Sequence, residues 1–361
     1  MGDCHAQSPP DKARTDRSAD VNGANFNIVE LIAGAQRMAL VGLAKNTGKT
    51  QTLTSILTEL ASVGVRVGVS SIGRDGEEWD AIDARIEKPT IHLERGSIVA
   101  STDALLRASG VEHERLARTR VRTPLGEVVI ARLSESGAVE IAGPSAAETM
   151  RAVCEEMLAH GAQQVLIDGS IDRRAASAPS VADGLVMATG AVLGESVDEV
   201  LAKTVDAADL IRLPAVAAAG AVDAAGATPV TIPRQIALSA APGQIAALLR
   251  DNARTNTFLI DGALSERLLQ GLLAARRERD GHELRVVARD PTRVFLSEHG
   301  PRWYSRQGIR IEVLETIDLR AITVNPVAPQ SHRLDSHALR EAISAAIPGV
   351  PVIDVLDPEY Y

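Results

Sequence analysis

The stretch "VGLAKNTGKTQTL" (residues 41–53) decides how this chain is read. It nearly matches G-x-x-x-x-G-K-[ST], the spacing at which a loop's backbone amides wrap a phosphate chain. Leu43 stands where the first glycine belongs, and Gly42 comes one residue early. The other parts are in place. Gly48, with no Cβ, lets the chain curl around an oxyanion. Lys49 is set to reach the terminal phosphates and Thr50 to offer a hydroxyl to magnesium. Lys45, Asn46 and Thr47 complete the loop. "MALV" before it reads as a strand and "GKTQTLTSILTELASVG" after it as a helix, whose free amides and positive dipole end face the ligand. The expectation is a nucleotide site. The bland alternative is a turn that only caps a helix.

A magnesium-nucleotide site also needs an acid at the end of a neighbouring strand. "QQVLIDG" supplies Asp168 after four apolar residues, with a turn-capping aspartate as the competing reading. Asp261 in "FLIDG" is a second acid further along the chain. "VRVGVSS" reads as another strand, and "IGRDGEEWD" after it carries Asp75, Glu77, Glu78 and Asp80. A loop there lies beside a γ-phosphate, so Asp75 and Glu77 are candidates to position water or magnesium. An exposed acidic turn explains them equally well. "SIDRRAAS" adds Asp172, Arg173 and Arg174, either phosphate-reading or plain surface charges. The base is open between ATP and GTP. The guanine pattern [NT]-K-x-D is missing, because "AKTVD" has Ala202 and an extra residue, and Asn325 in "ITVNPVAP" is a candidate for the base edge.

Outward from the loop, apolar runs alternate with helical patterns, the signature of an α/β fold with a mostly parallel sheet flanked by helices. Residues 1–25 are polar, lack a signal-peptide apolar segment and read as a flexible tail. Residues 26–215 read as the nucleotide-binding domain, with a β-rich insertion at about 88–142 suggestive of hairpins. "PSAAETMRAVCEEMLAHG" is a helix, and "DGLVMATG", "SVDEVLAKTVDAA" and "DLIRLPAV" continue the rhythm. The Ala/Gly-rich "AVAAAGAVDAAGATP" marks a boundary. Beyond it, residues 216–361 form a C-terminal α/β half, either part of the same sheet or a separate unit. "VLIDGSIDR" and "FLIDGALSER" are either an internal repeat or two strands that end alike.

Composition narrows the classes. The 361 residues are 45% hydrophobic and 24% charged, but only 2% aromatic, so the core is aliphatic and stacking surfaces for single strands are scarce. A formal net charge of -9 argues against nucleic acid and anionic membranes as partners. Two cysteines, Cys4 and Cys154, make no disulfide framework or C-x-x-C site, which suits a cytoplasmic location. "DSHALR" begins like a cobalamin-binding D-x-H-x-x-G pattern, but Arg340 replaces the glycine. No G-x-S-x-G or H-E-x-x-H is present.

The loop resembles the deviant phosphate loops of dethiobiotin-synthetase-like and molybdopterin-guanine dinucleotide adaptor proteins, although Lys45 is not at their signature lysine position. "VGLAKNTGKTQTL", "SSIGRDGEEWD", "EKPTIHLERGSIVAST", "AGPS" and "LIDGSIDRRAASAPSVADGLVMATGAVL" together resemble the P-loop protein found with lysine and ornithine aminomutases, described as the nucleotide-binding subunit of an aminomutase reactivase. The similarity spans about residues 36–195 and, more faintly, "VNPVAP" through "VPVIDV". It implies a P-loop NTPase-like fold, ATP and Mg2+ as cofactors, and Lys49, Thr50 and Asp168 as their residues. It also implies two partners: an adenosylcobalamin-dependent aminomutase and a second reactivase ATPase subunit. Two other readings stand beside it. One is an ATP-dependent ligase or kinase of the dethiobiotin-synthetase type; the other is a structural protein whose loop has lost nucleotide.

Overall fold

Successive residues of a strand face opposite sides, so a strand apolar at every position must be covered on both. "RMALVG" is such a strand. Ala39 and Val41 enter one apolar cluster, Met38 and Leu40 the other, all four buried. The computed structural model describes residues 27–72, 90–170, 174–216, 228–277, 282–329 and 332–355.

The course of the chain is α1 (Ile28–Ile32), β1 (Arg37–Gly42), α2 (Lys49–Ser62), β2 (Val67–Ser71), β3 (Ile91–Leu93), β4 (Ile98–Thr102) and α3 (Asp103–Ala108). Then follow β5 (His113–Thr123), β6 (Gly126–Leu133), β7 (Gly137–Val139), α4 (Ala147–Ala159), β8 (Gln164–Ser170), β9 (Gly184–Gly190) and α5 (Val197–Ile211). The next section holds β10 (Val230–Ile232), α6 (Arg234–Ser239), α7 (Pro242–Asp251), β11 (Thr257–Ile260), β12 (Leu264–Ser265), α8 (Glu266–Arg276) and β13 (Leu284–Ala288). The chain ends with β14 (Val294–Phe295), α9 (Pro301–Arg306), β15 (Ile309–Val313), β16 (Leu319–Asn325), α10 (Ser336–Ala346) and β17 (Val352–Asp354).

A nine-stranded sheet runs β17–β16–β9–β1–β8–β2–β4–β6–β5. From β17 to β4 every pairing is parallel; β6 is antiparallel to both β4 and β5. One face is covered by α4, α5 and α10 through Met150, Val153, Val200, Leu339 and Ile343. The other is covered by α1, α2 and α3 through Ile32, Leu53, Ile56, Leu60 and Leu106. A second sheet, β10–β11–β13–β15, is parallel throughout. Its strands follow in sequence order, the parallel pairing for which right-handed crossovers are the rule. Leu268, Leu269 and Leu272 of α8, Ile245 of α7 and Tyr304 of α9 share a core with Phe258, Val286 and Ile311 there.

The expected α/β architecture with a mostly parallel sheet is present. Hairpin pairing in residues 88–142 holds for β5–β6, and β3 and β7 also pair antiparallel, but β4 joins β2 in parallel. "DLIRLPAV" is not a strand: α5 runs on through Ile211, and only Ala215 makes an isolated bridge, to Val313. The described strands after residue 216 divide among three sheets, β12 and β14 pairing with each other as a two-stranded one. Those from β10 to β15 lie outside the nine-stranded sheet, and β16 and β17 return to it beside β9. No helix among the described residues is long and apolar enough to cross a membrane.

Candidate functional site

Strand β1 lies between β8 and β9, with Gly42 in register with Ser170 and Ala188. The loop after it is tied down at once, because Leu43 N donates to Ala188 O at 3.0 Å. Two residues then turn the chain back on itself in the left-handed region, Asn46 at φ 65° and Gly48 at φ 86°. Asparagine and glycine are the residues that enter this region at least cost. Thr47, between them, points inward and is only 1% exposed; its Oγ1 donates to Ala44 O at 3.0 Å. A Cβ on Gly42 would sit 2.7 Å from that same Oγ1. The early glycine therefore serves a purpose of its own, clearing the end of β1 so that Thr47 can fold under the loop.

Gly48 begins α2 without a side-chain cap. Among the described residues, the backbone N–H groups of residues 45–50 have no hydrogen-bond partner. Lys45, Asn46 and Thr50 are exposed, and Lys49 is partly so. The result is a run of free donors at the positive end of a fourteen-residue helix, at the carboxyl edge of a parallel sheet. Anions bind such places because the amides point at them and the dipole favours negative charge. In open parallel sheets, ligands sit at this edge.

Across the loop, Lys49 Nζ donates to Asp168 Oδ1. Asp168 sits on β8 in register with Leu40 and Ser71, and its carbonyl accepts from Ile72 N at 2.9 Å. The two side chains are 24% and 22% exposed, so the pair is partly open to solvent rather than sealed in the core. Next to Asp168, a Cβ on Gly169 would stand 2.9 Å from the Cβ of Ala176, in the short 3-10 turn Arg174–Ser177. Glycine at 169 thus lets that turn lie directly over the strand that carries the acid.

Asn325, expected at a base edge, ends β16 on the other side of the loop. Its Nδ2 donates to Asn46 O at 3.1 Å and its Oδ1 accepts from Val327 N at 3.0 Å. One turn into α2, Thr52 Oγ1 bonds Gly48 O at 3.1 Å and meets Thr323 Oγ1 of β16 at 2.8 Å. No local pattern marks Thr52 or Thr323 in the sequence, because the contact spans 271 positions. Loop, α2, β8 and β16 thus bring together Lys45 through Thr50, Asp168 and Asn325. Asp75, Glu77, Glu78, Asp80, Asp172 and Arg173 lie outside the described residues, as does the side chain of Arg174. Asp261 follows β11 in the second sheet. No group of three or more His, Cys, Asp or Glu side chains among the described residues is arranged to hold a metal. Cys154 is buried in α4, where desolvation pushes its thiol up to about 12, so it is an inert packing group.

Comparison of the chain with protein-family models, curated proteins and solved structures gives no match.

Proposed function

We propose that residues 43–50 hold the triphosphate of ATP or GTP with magnesium, in a fold of the P-loop NTPase kind. We further propose that the chain is the nucleotide-hydrolysing subunit that reactivates an adenosylcobalamin-dependent aminomutase, of the lysine 5,6-aminomutase type, by driving release of damaged cofactor. The nucleotide reading is carried by one observation: the run of unbonded amides at residues 45–50, ahead of an ammonium group already paired with the acid of the next strand. The reactivase reading rests on the resemblance of the segments at residues 36–195, with a second ATPase subunit as co-partner.

The residues suit the group. The amides of residues 45–50 would take phosphate oxygens, and Lys49 would turn from Asp168 to the terminal phosphates. Thr50, with its exposed hydroxyl, and Asp168 would hold magnesium; a hydroxyl and one carboxylate, completed by phosphates and water, are the usual magnesium set. Bound magnesium neutralises charge on the phosphate oxygens.

Titration calorimetry with Mg-ATP and Mg-GTP tests the nucleotide reading. Wild type should bind at least one, and Lys49→Ala should bind neither; a wild type blind to both ends it. Co-purification with an adenosylcobalamin-dependent aminomutase, with and without nucleotide, tests the partner. Slow hydrolysis stimulated by the mutase supports a reactivase. Stimulation by a single metabolite instead identifies a ligase or kinase.

A further inference from the structure

The phosphate loop does not hold its shape from its own sequence alone. Its two left-handed residues, Asn46 and Gly48, are both engaged from outside by Asn325. Asn325 Nδ2 bonds the carbonyl of Asn46, and the Asn325 Cβ lies 2.8 Å from where a Cβ on Gly48 would stand. Asn325 is itself 8% exposed and fixed at its other end by Val327 N. Its strand is not adjacent to β1, since β9 lies between. Gly190, at the end of β9, gives the needed clearance: a Cβ there would be 2.4 Å from Asn325 O. A side chain that reaches past a neighbouring strand to the back of a loop, and is spent on backbone partners, holds that loop rather than reading a base.

Building on the nucleotide reading, we infer that Asn325 is a positioning residue that presets the phosphate loop, so that its loss weakens binding of the phosphate chain whatever base it carries. The carbonyl of Asn46, held by Asn325, keeps its peptide unit turned so that the amides that follow face the cleft.

The test compares Mg-ATP with inorganic tripolyphosphate plus magnesium, a probe with no base, on wild type, Asn325→Ala and Asn325→Ser. Serine can still take the bond from Val327 N two residues on, but cannot reach Asn46. Both variants should lose about tenfold in affinity, the worth of one buried hydrogen bond, and lose it equally for both ligands. Loss for ATP alone would make Asn325 a base contact. Full affinity in Asn325→Ser would show that only the local turn matters. Either result overturns the inference. Hydrogen exchange of the ligand-free protein gives a second measurement: the amides of Leu43 and Thr52, bonded at either end of the loop, should exchange about tenfold faster in both variants. If wild type binds neither ligand, the nucleotide reading fails, and unchanged exchange then overturns the positioning role on its own.

Discussion

Lys49 and Asp168 hold each other across the loop, and on the proposed reading one would be needed by the phosphates and the other by magnesium. On the proposed nucleotide reading, binding Mg-nucleotide would be an exchange of partners rather than a simple filling of the site. Asp168→Asn removes the anion that holds Lys49. Magnesium-free ATP should then bind more tightly than to wild type, while magnesium-dependent hydrolysis falls to background; calorimetry and phosphate release measure the two. Gly48→Ala should act in the opposite sense. A side chain at φ 86° costs roughly 1–2 kcal/mol in the left-handed region, and its Cβ would overlap Asn325. A loss of about tenfold or more in ATP affinity is expected, read by calorimetry. At this scale the sequence was legible where chemistry is local. Gly48, Lys49 and Thr50 are neighbours in one motif, and Asp168 ends an apolar run. The role of Gly42 depends on how Thr47 folds, and that of Asn325 on a contact across 279 positions. Neither leaves a local pattern.

Among the elements, α8 shows how a single acid locks a loop. Glu266, its first residue, is 8% exposed and accepts from Ser297 N at 2.7 Å, Ser297 Oγ at 2.6 Å, Glu298 N at 2.8 Å, His299 N at 3.1 Å and Tyr304 OH at 2.9 Å. Burial alone pushes its carboxyl up; the bonds from Ser297, Glu298 and Tyr304 outweigh burial and hold it down at about 2. An unfolded glutamate titrates near about 4.3. The clamp's contribution is thus complete above that pH and is lost as the pH falls towards about 2. Glu266→Gln should lower stability at neutral pH by about 2–3 kcal/mol in urea denaturation, and should flatten the fall in stability between those two pH values. In the sequence, "ALSERLL" reads as an ordinary first-turn acid after a serine cap. Its ring of donors comes from residues 297–304, which no helix-start rule connects to it. Strands and helices were legible because their apolar periods are strong. The continuation of α5 through Ile211 leaves no such signal, because "DLIRLPAV" is apolar enough to pass for a strand.

The whole molecule joins a mostly parallel nine-stranded sheet to a parallel four-stranded one through α5 and α9, where Arg302 Nη2 donates to Asp209 Oδ1 at 2.7 Å. An α/β rhythm was readable from end to end, but not which sheet each strand enters, because a buried parallel strand looks the same in either. A ligand that binds only the folded form adds stability by mass action, about 2.7 kcal/mol at a hundred times its Kd. Saturating Mg-ATP should therefore raise the wild-type Tm by several degrees and leave that of Lys49→Ala unchanged, as calorimetric scans would record.

The return of β16 to the large sheet also bears on how the protein is made. The ribosome delivers Asn325 279 positions after Asn46. At roughly 5–20 residues per second, 279 divided by the rate leaves an interval of about 14–56 s in which the nascent loop exists without its brace. If Asn325 presets the loop, a chain that stalls before Leu319 has translated every residue of the motif without the residue that sets it. On the nucleotide reading, the loop would gain its brace only after every strand of the second sheet has been made.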